Sequence, residues 1–225
     1  MMKLVVLILI AALVVIVAFS LLGLYQAMLN FQPGPSRIKA DVNRMIDDLA
    51  AWTENLVPVN KAELELLSHN QLNNSVSKKM ILSAKGVITS IYDEPMIAYA
   101  YKRYLGSTEN SVLYARTANQ EIIYRMKHGS TKITYNNQAL GELKEDGILY
   151  NAGTKKPVAQ FKEGLKDLRP LLVDGREVAN YKANDKSVTV NSRALEFVSD
   201  LKPEEEMVLL TLVVRELVRE DLPLS

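Results

Sequence analysis

Cysteine is absent from the 225 residues. That one gap excludes disulfides, thiolate metal sites, cysteine nucleophiles and cysteine palmitoylation together. Histidine is nearly missing too: His69 and His128 are the only two, and neither has a partner at metal-ligand spacing on one face of an element. No metal and no cofactor are expected. Charge of one sign is not in excess either. A formal net charge of +1 gives no global pull toward nucleic acid, which is excluded as a partner.

Signals for chemistry are equally thin. Gly141, Gly147 and Gly153 are spaced as hairpin turns, not as a phosphate-cradling loop. His128-Gly129-Ser130 places an imidazole near a hydroxyl without a Gly-x-Ser-x-Gly elbow, and reads as a turn. Asp93-Glu94-Pro95 supplies an acid and a base for a hydrolase, the enzymatic alternative, yet adjacent carboxylates before proline more often close a turn between strands. The expectation is a protein that is not an enzyme.

What is present begins with a long apolar run. Leu4 to Leu24 carries no charge over 21 residues, about 31 Å of helix, which matches the roughly 30 Å hydrocarbon layer of a bilayer. A cleaved signal peptide would have a shorter apolar region and a small-x-small site; Ala18-Phe19-Ser20 is a poor one. Residues 1–30 are therefore expected to be an uncleaved, single-pass transmembrane anchor. Arg37, Lys39 and Arg44 on one side against Lys3 on the other orient the body toward the cytoplasm, by a narrow margin.

Residues 31–76 read as a linker and amphipathic helices. Pro33-Gly34-Pro35 breaks the first helix. Val42, Met45, Ile46, Leu49, Trp52 and Leu56 then recur at three- and four-residue steps opposite an acidic face. Asn60 with Glu63 resembles a capping box for a second short helix reaching about Ser68. The acidic face favours packing on the domain, or self-association into a homo-oligomer, over lying on an anionic membrane.

From about Ser77 the period changes. Twelve short runs rich in β-branched residues and tyrosine follow: Lys79–Ser83, Val87–Tyr92, Met96–Tyr104, Val112–Thr117, Glu121–Lys127, Thr131–Tyr135, Gln138–Leu143, Gly147–Tyr150, Pro157–Phe161, Pro170–Val173, Arg176–Tyr181 and Ser187–Asn191. Asp146-Gly147 and Asp174-Gly175 are hairpin signals. Many antiparallel strands must close or stack to hide their edges.

The last stretch decides how. Pro203 followed by Glu204, Glu205 and Glu206 starts a helix in accord with its dipole. Met207 to Val214 is then apolar around its full circumference, with only Thr211 interrupting. Eight residues span about 12 Å, too short for a membrane, so this helix must be buried. Arg215, Glu216, Arg219 and Glu220 suggest that its last turns emerge into water. The fold class expected is mainly β: a closed antiparallel barrel of about twelve strands over 77–225, threaded by the C-terminal helix.

Such an arrangement resembles the tubby-like superfamily, which comprises the tubby C-terminal domain, the phospholipid scramblases and the LURP-one-related proteins. The resemblance is architectural and covers roughly Ser77 to Asp221. It implies a non-enzymatic domain that associates with membranes, often through lipid headgroups. The scramblase cysteine cluster and calcium-binding segment have no counterpart here.

One charge cluster suits that role. Between Val76 and Tyr135 nine basic residues face four acidic ones, a surplus of five. Lys78 and Lys79 at the start of the first expected strand, with Lys102 and Arg103 at the end of the third, are the candidate contacts for an anionic headgroup; a solvated, lysine-protected strand edge is the plainer reading. The function expected is a membrane-anchored binding or scaffold module for a lipid or protein partner. An oligomeric lipid-scrambling or transport assembly is the alternative.

Overall fold

The computed structural model describes residues 2–78, 81–106, 110–164, 168–184 and 191–222; within these, the side chains of 2–4, 7, 8, 26 and 29 are not described. Four helices and twelve strands follow the chain as α1 (Met2–Phe31), α2 (Pro35–Thr53), α3 (Lys61–Leu64), β1 (Leu67–Ser77), β2 (Ser83–Ser90), β3 (Pro95–Arg103), β4 (Ser111–Arg116), β5 (Glu121–Lys127), β6 (Ser130–Tyr135), β7 (Gln138–Leu143), β8 (Ile148–Asn151), β9 (Pro157–Phe161), β10 (Leu168–Val173), β11 (Arg176–Lys182), β12 (Leu195–Phe197) and α4 (Pro203–Asp221). The strands form one sheet in sequence order, every neighbouring pair antiparallel.

The sheet curls until its ends meet. Ser68 of β1 forms an antiparallel bridge with Arg193, and the Ala194 amide donates to the Leu67 carbonyl at 2.7 Å. This seam is short, so the barrel is nearly closed. Two-residue turns set the register elsewhere. His128-Gly129, Asn136-Asn137 and Asp174-Gly175 all take positive φ at both positions, as tight hairpins with a right-handed twist require.

Inside runs α4. Pro203 opens it, and the Glu205 carboxylate accepts the Lys202 amide at 2.8 Å, which satisfies one group at the helix start. Val208 through Val214 are buried without a break, in one core with residues from β2 to β11. Tyr124 donates its hydroxyl to the Thr211 carbonyl at 2.7 Å, tying the barrel wall to the helix. The expectation of a central apolar helix inside sheet is met.

A second core lies outside the wall. Val42, Met45 and Leu49 of α2 pack on Val87, Ala98, Ala100, Val112 and Tyr114. β3 is therefore covered on both faces, Tyr99 and Tyr101 inward and Ala98 and Ala100 under α2. That explains its continuous apolar sequence. The acidic helix packs on the barrel.

Several boundaries differ from expectation. The second short helix stops at Leu64, not near Ser68, and β1 begins at Leu67. β1 reads LSHNQLNNSVS, nearly all polar, because it is joined through its backbone to β2 while its second half is exposed. The expected strand over Lys79–Ser83 is not one: Ser83 begins β2, and Lys79 and Met80 lie outside the described residues. Most of the expected strand Ser187–Asn191 also lies outside them, and the last strand is β12, which pairs with β11.

Helix α1 projects apolar side chains outward: Val14 is 62% exposed, Phe19 71% and Met28 73%. Among the described residues no helix is long and apolar enough to cross a membrane. The side chains described in α1 run unbroken only over 9–25. The expected transmembrane anchor is thus not shown by the described residues.

Candidate functional site

The charged last turns of α4 emerge into water only in part: Arg219 is 53% exposed, whereas Arg215 and Glu216 are largely buried. Glu216 is buried, its side chain 5% exposed, and three guanidiniums converge on it. Arg169 Nη2 of β10 lies at 2.7 Å from Oε2, Arg215 Nη1 at 2.6 Å from Oε1, and Arg219 Nη1 at 3.6 Å from Oε1. Arg169 makes cation–π contacts with Phe161 (4.7 Å) and Tyr181 (5.1 Å).

Burial works against the Glu216 anion, but Arg215, Arg219 and Arg169 outweigh it and keep its carboxyl below the ordinary value. Burial lowers the Arg215 guanidinium, which Glu216 partly restores. Next along the helix, Glu220 is pushed up by burial and approaches His69 Nδ1 at 3.5 Å. His69 is itself lowered by burial. The C-terminal half of α4 thus ends in a partly buried cluster with more cations than anions near Glu216.

Beside this cluster a cavity of about 570 Å³ opens at one end of the barrel. Leu113, Met126, Leu143, Val218 and Leu222 are among its apolar lining. Its charged lining is Lys127, Lys144, Lys162, Arg169, Arg215 and Arg219 against Glu145, Glu163 and Glu216, six minus three. The Glu145 side chain folds over Gly129, which has φ +74 and leaves no room for a Cβ.

This end of the barrel is also where α1 arrives. Ser111, which lines the cavity, pairs with Arg103 across the β3–β4 connection. In that connection the Leu105 amide donates to the Asn30 carbonyl at 2.8 Å, and Asn110 Nδ2 donates to the Phe31 carbonyl at 3.4 Å. Arg125 braces the same connection, donating from Nη1 to the carbonyls of Ser111 (2.9 Å) and Met126 (2.6 Å) while it stacks on Tyr104. Phe31 sits against Gly106, where the absence of a Cβ lets the ring approach.

No known protein family, characterised protein or solved structure matches the chain.

The residues singled out from sequence are partly brought together. Lys78 follows β1, whose Ser77 pairs with Ser83, and Ser83 pairs with Lys102, so Lys78, Lys102 and Arg103 share one end of the sheet. Their side chains do not converge. Lys102 turns toward α2 and binds Asp41 at 2.9 Å in a nearly dry cleft. Arg103 lies on the other face parity, with Nη1 buried and lacking a hydrogen-bond partner among the described residues. Lys78 is exposed, and Lys79 lies outside the described residues. The second cavity, about 300 Å³, takes in Lys102 with Lys85 and Arg44 against Asp41 and Asp48, and Lys102 is already paired with Asp41 there.

Asp93 and Glu94 form the β2–β3 turn. Asp93 has φ 62 and accepts from Asn70 Nδ2 at 2.7 Å and Asn191 Nδ2 at 3.0 Å, while Glu94 accepts from Ser90 Oγ at 3.3 Å. Neither lines the two cavities described. The Arg169, Arg215 and Glu216 cluster escaped sequence reasoning because its members are 46 residues apart in the chain, 215 minus 169, and no spacing links them. The one available signal was the return of charge to an otherwise buried helix.

Proposed function

We propose that this protein is a non-enzymatic binding module held at a membrane by α1, with an anionic lipid headgroup or a membrane protein as its partner. The observation that carries the reading is the meeting of an outward-facing apolar helix with a basic barrel mouth at one end of the molecule. Leu4–Leu24 has no charge, and the large side chains described along α1 are about half exposed or more. Each costs about 1.5 to 3 kcal/mol when left in water, so α1 needs an apolar covering. A bilayer supplies one of the right thickness.

The hydrogen bonds from Leu105 and Asn110 to the last turn of α1 keep the mouth close to the point where that helix would leave the membrane. Arg37, Lys39 and Arg44 just beyond it favour a cytoplasmic body. Kinship with tubby-like proteins belongs to the same proposal, supported by twelve antiparallel strands around a buried C-terminal helix.

The test is fractionation of cells expressing the full chain, with alkaline carbonate extraction. The chain stays in the membrane pellet, and Leu13→Arg with Ile16→Arg, each costing about 2.5 to 3.5 kcal/mol at mid-bilayer, moves it to the supernatant. A wild-type chain released by carbonate contradicts the reading.

A further inference from the structure

We infer that the barrel mouth holds a single-chain anionic amphiphile, its tail among Leu113, Met126, Leu143, Val218 and Leu222 and its head against Lys127, Arg215 and Arg219. This rests on the membrane reading above and names the ligand class of that site. Three features of the mouth point the same way.

The first is size and lining. About 570 Å³ falls in the roughly 300 to 1,000 Å³ range of small-molecule sites, and the walls combine apolar side chains with charged ones that run from the buried Glu216 and largely buried Arg215 to the exposed Lys127. That mixture fits a molecule with one apolar end and one polar end. Each methylene taken out of water into such a cavity contributes about 0.8 kcal/mol.

Charge is the second. Glu216 is shared by three arginines, so the cavity wall around it carries more positive than negative charge before a ligand arrives. Arg215 Nε is buried without a hydrogen-bond partner among the described residues. A buried donor left unsatisfied is costly, and a ligand carboxylate or phosphate would accept from it. Arg219, 53% exposed, and the exposed Lys127 stand at the rim where a headgroup would sit.

Access is the third. The mouth adjoins the end of α1, so an amphiphile leaving the bilayer surface enters without crossing bulk water. A two-chain phospholipid would need a second cavity of similar depth in the mouth.

The experiment uses the full chain in phosphatidylcholine nanodiscs with a trace of diazirine-bearing palmitic acid, irradiated and mapped by peptide mass spectrometry. Insertion is expected within 111–126, 143 and 216–222, and roughly tenfold less with the fatty alcohol of the same chain length. Lys127→Gln with Arg219→Gln lowers insertion by the acid to the level of the alcohol. Equal labelling of the mouth by acid and alcohol overturns the proposal, as does labelling confined to α1. The acid-to-alcohol comparison needs no variant, so misfolding of the double substitution cannot obscure it. A diazirine phosphatidylcholine that leaves α1 unlabelled defeats the membrane reading instead, and the acid-to-alcohol ratio at the mouth is then read from the same chain without nanodiscs.

Discussion

Asp41 of α2 and Lys102 of β3 meet at 2.9 Å between helix and barrel, with the Asp41 side chain 3% exposed. Arg37 stands 3.5 Å away, one turn earlier on the helix, and Tyr104 donates its hydroxyl to the same carboxylate at 3.0 Å. This is a buried anion in an otherwise apolar helix–sheet contact, and Lys102 is the nearer of its two cationic partners. Removing Lys102 leaves it under-compensated.

Lys102→Ala is therefore expected to destabilise the domain by about 3 kcal/mol, read as a lowered denaturation midpoint in detergent micelles. Asp41→Asn with Lys102→Met removes both charges of the closest pair, while Arg37, 28% exposed, keeps access to water, and it recovers most of that loss. An unchanged midpoint in Lys102→Ala would mean that the helix is not seated on the barrel as described.

The central helix gives a second expectation. Leu209 is 0% exposed, and Leu209→Ala creates a cavity inside the barrel costing about 2 to 5 kcal/mol. Val198, half exposed, is the control: Val198→Ala shifts stability by within about 0.5 kcal/mol. Equal, small effects at the two positions would contradict a helix walled in by sheet.

Acid sensitivity follows from Glu216. Its carboxyl is held below the ordinary 4.5 in the folded chain, so its contribution is complete above 4.5 and disappears as pH falls through the lowered value. Glu220, raised by burial, acts in the opposite sense and favours the folded state at low pH. Glu216→Gln should thus be less stable than wild type at neutral pH, with the difference narrowing once the pH drops below 4.5. Urea midpoints across that range measure it. A gap that stays constant into acid would show that the guanidiniums do not bias this carboxyl.

Architecture was largely legible in sequence, because it follows from local periodicity. Alternation and paired turn residues mark most strands, and the full-circumference apolar run Met207–Val214 requires a tube around it. β1 was illegible. Its Asn, Gln and Ser residues carry no pattern, since its place comes from backbone pairing with β2 and its outer half faces water. The site was harder still. Lys102 and Arg103 are adjacent, but a strand sends neighbouring side chains to opposite faces, so proximity in sequence did not make a patch. The mouth cluster joins β10 to α4, a relation that only the closed barrel creates.

The most direct measurement exploits the absence of cysteine, since each introduced thiol is unique. Spin labels at Val14→Cys, Glu145→Cys and Glu204→Cys in phosphatidylcholine vesicles report depth through collision with oxygen and with a water-soluble nickel complex. Val14 lies on α1, Glu145 at the barrel mouth, and Glu204 beside the Arg176–Glu205 pair at the opposite end of β10. A label at 14 reached by oxygen and shielded from nickel, one at 145 near the headgroups, and one at 204 in bulk water are the expected results. Nickel access at 14, or a label at 204 closer to the bilayer than that at 145, would contradict a barrel whose basic mouth faces the membrane.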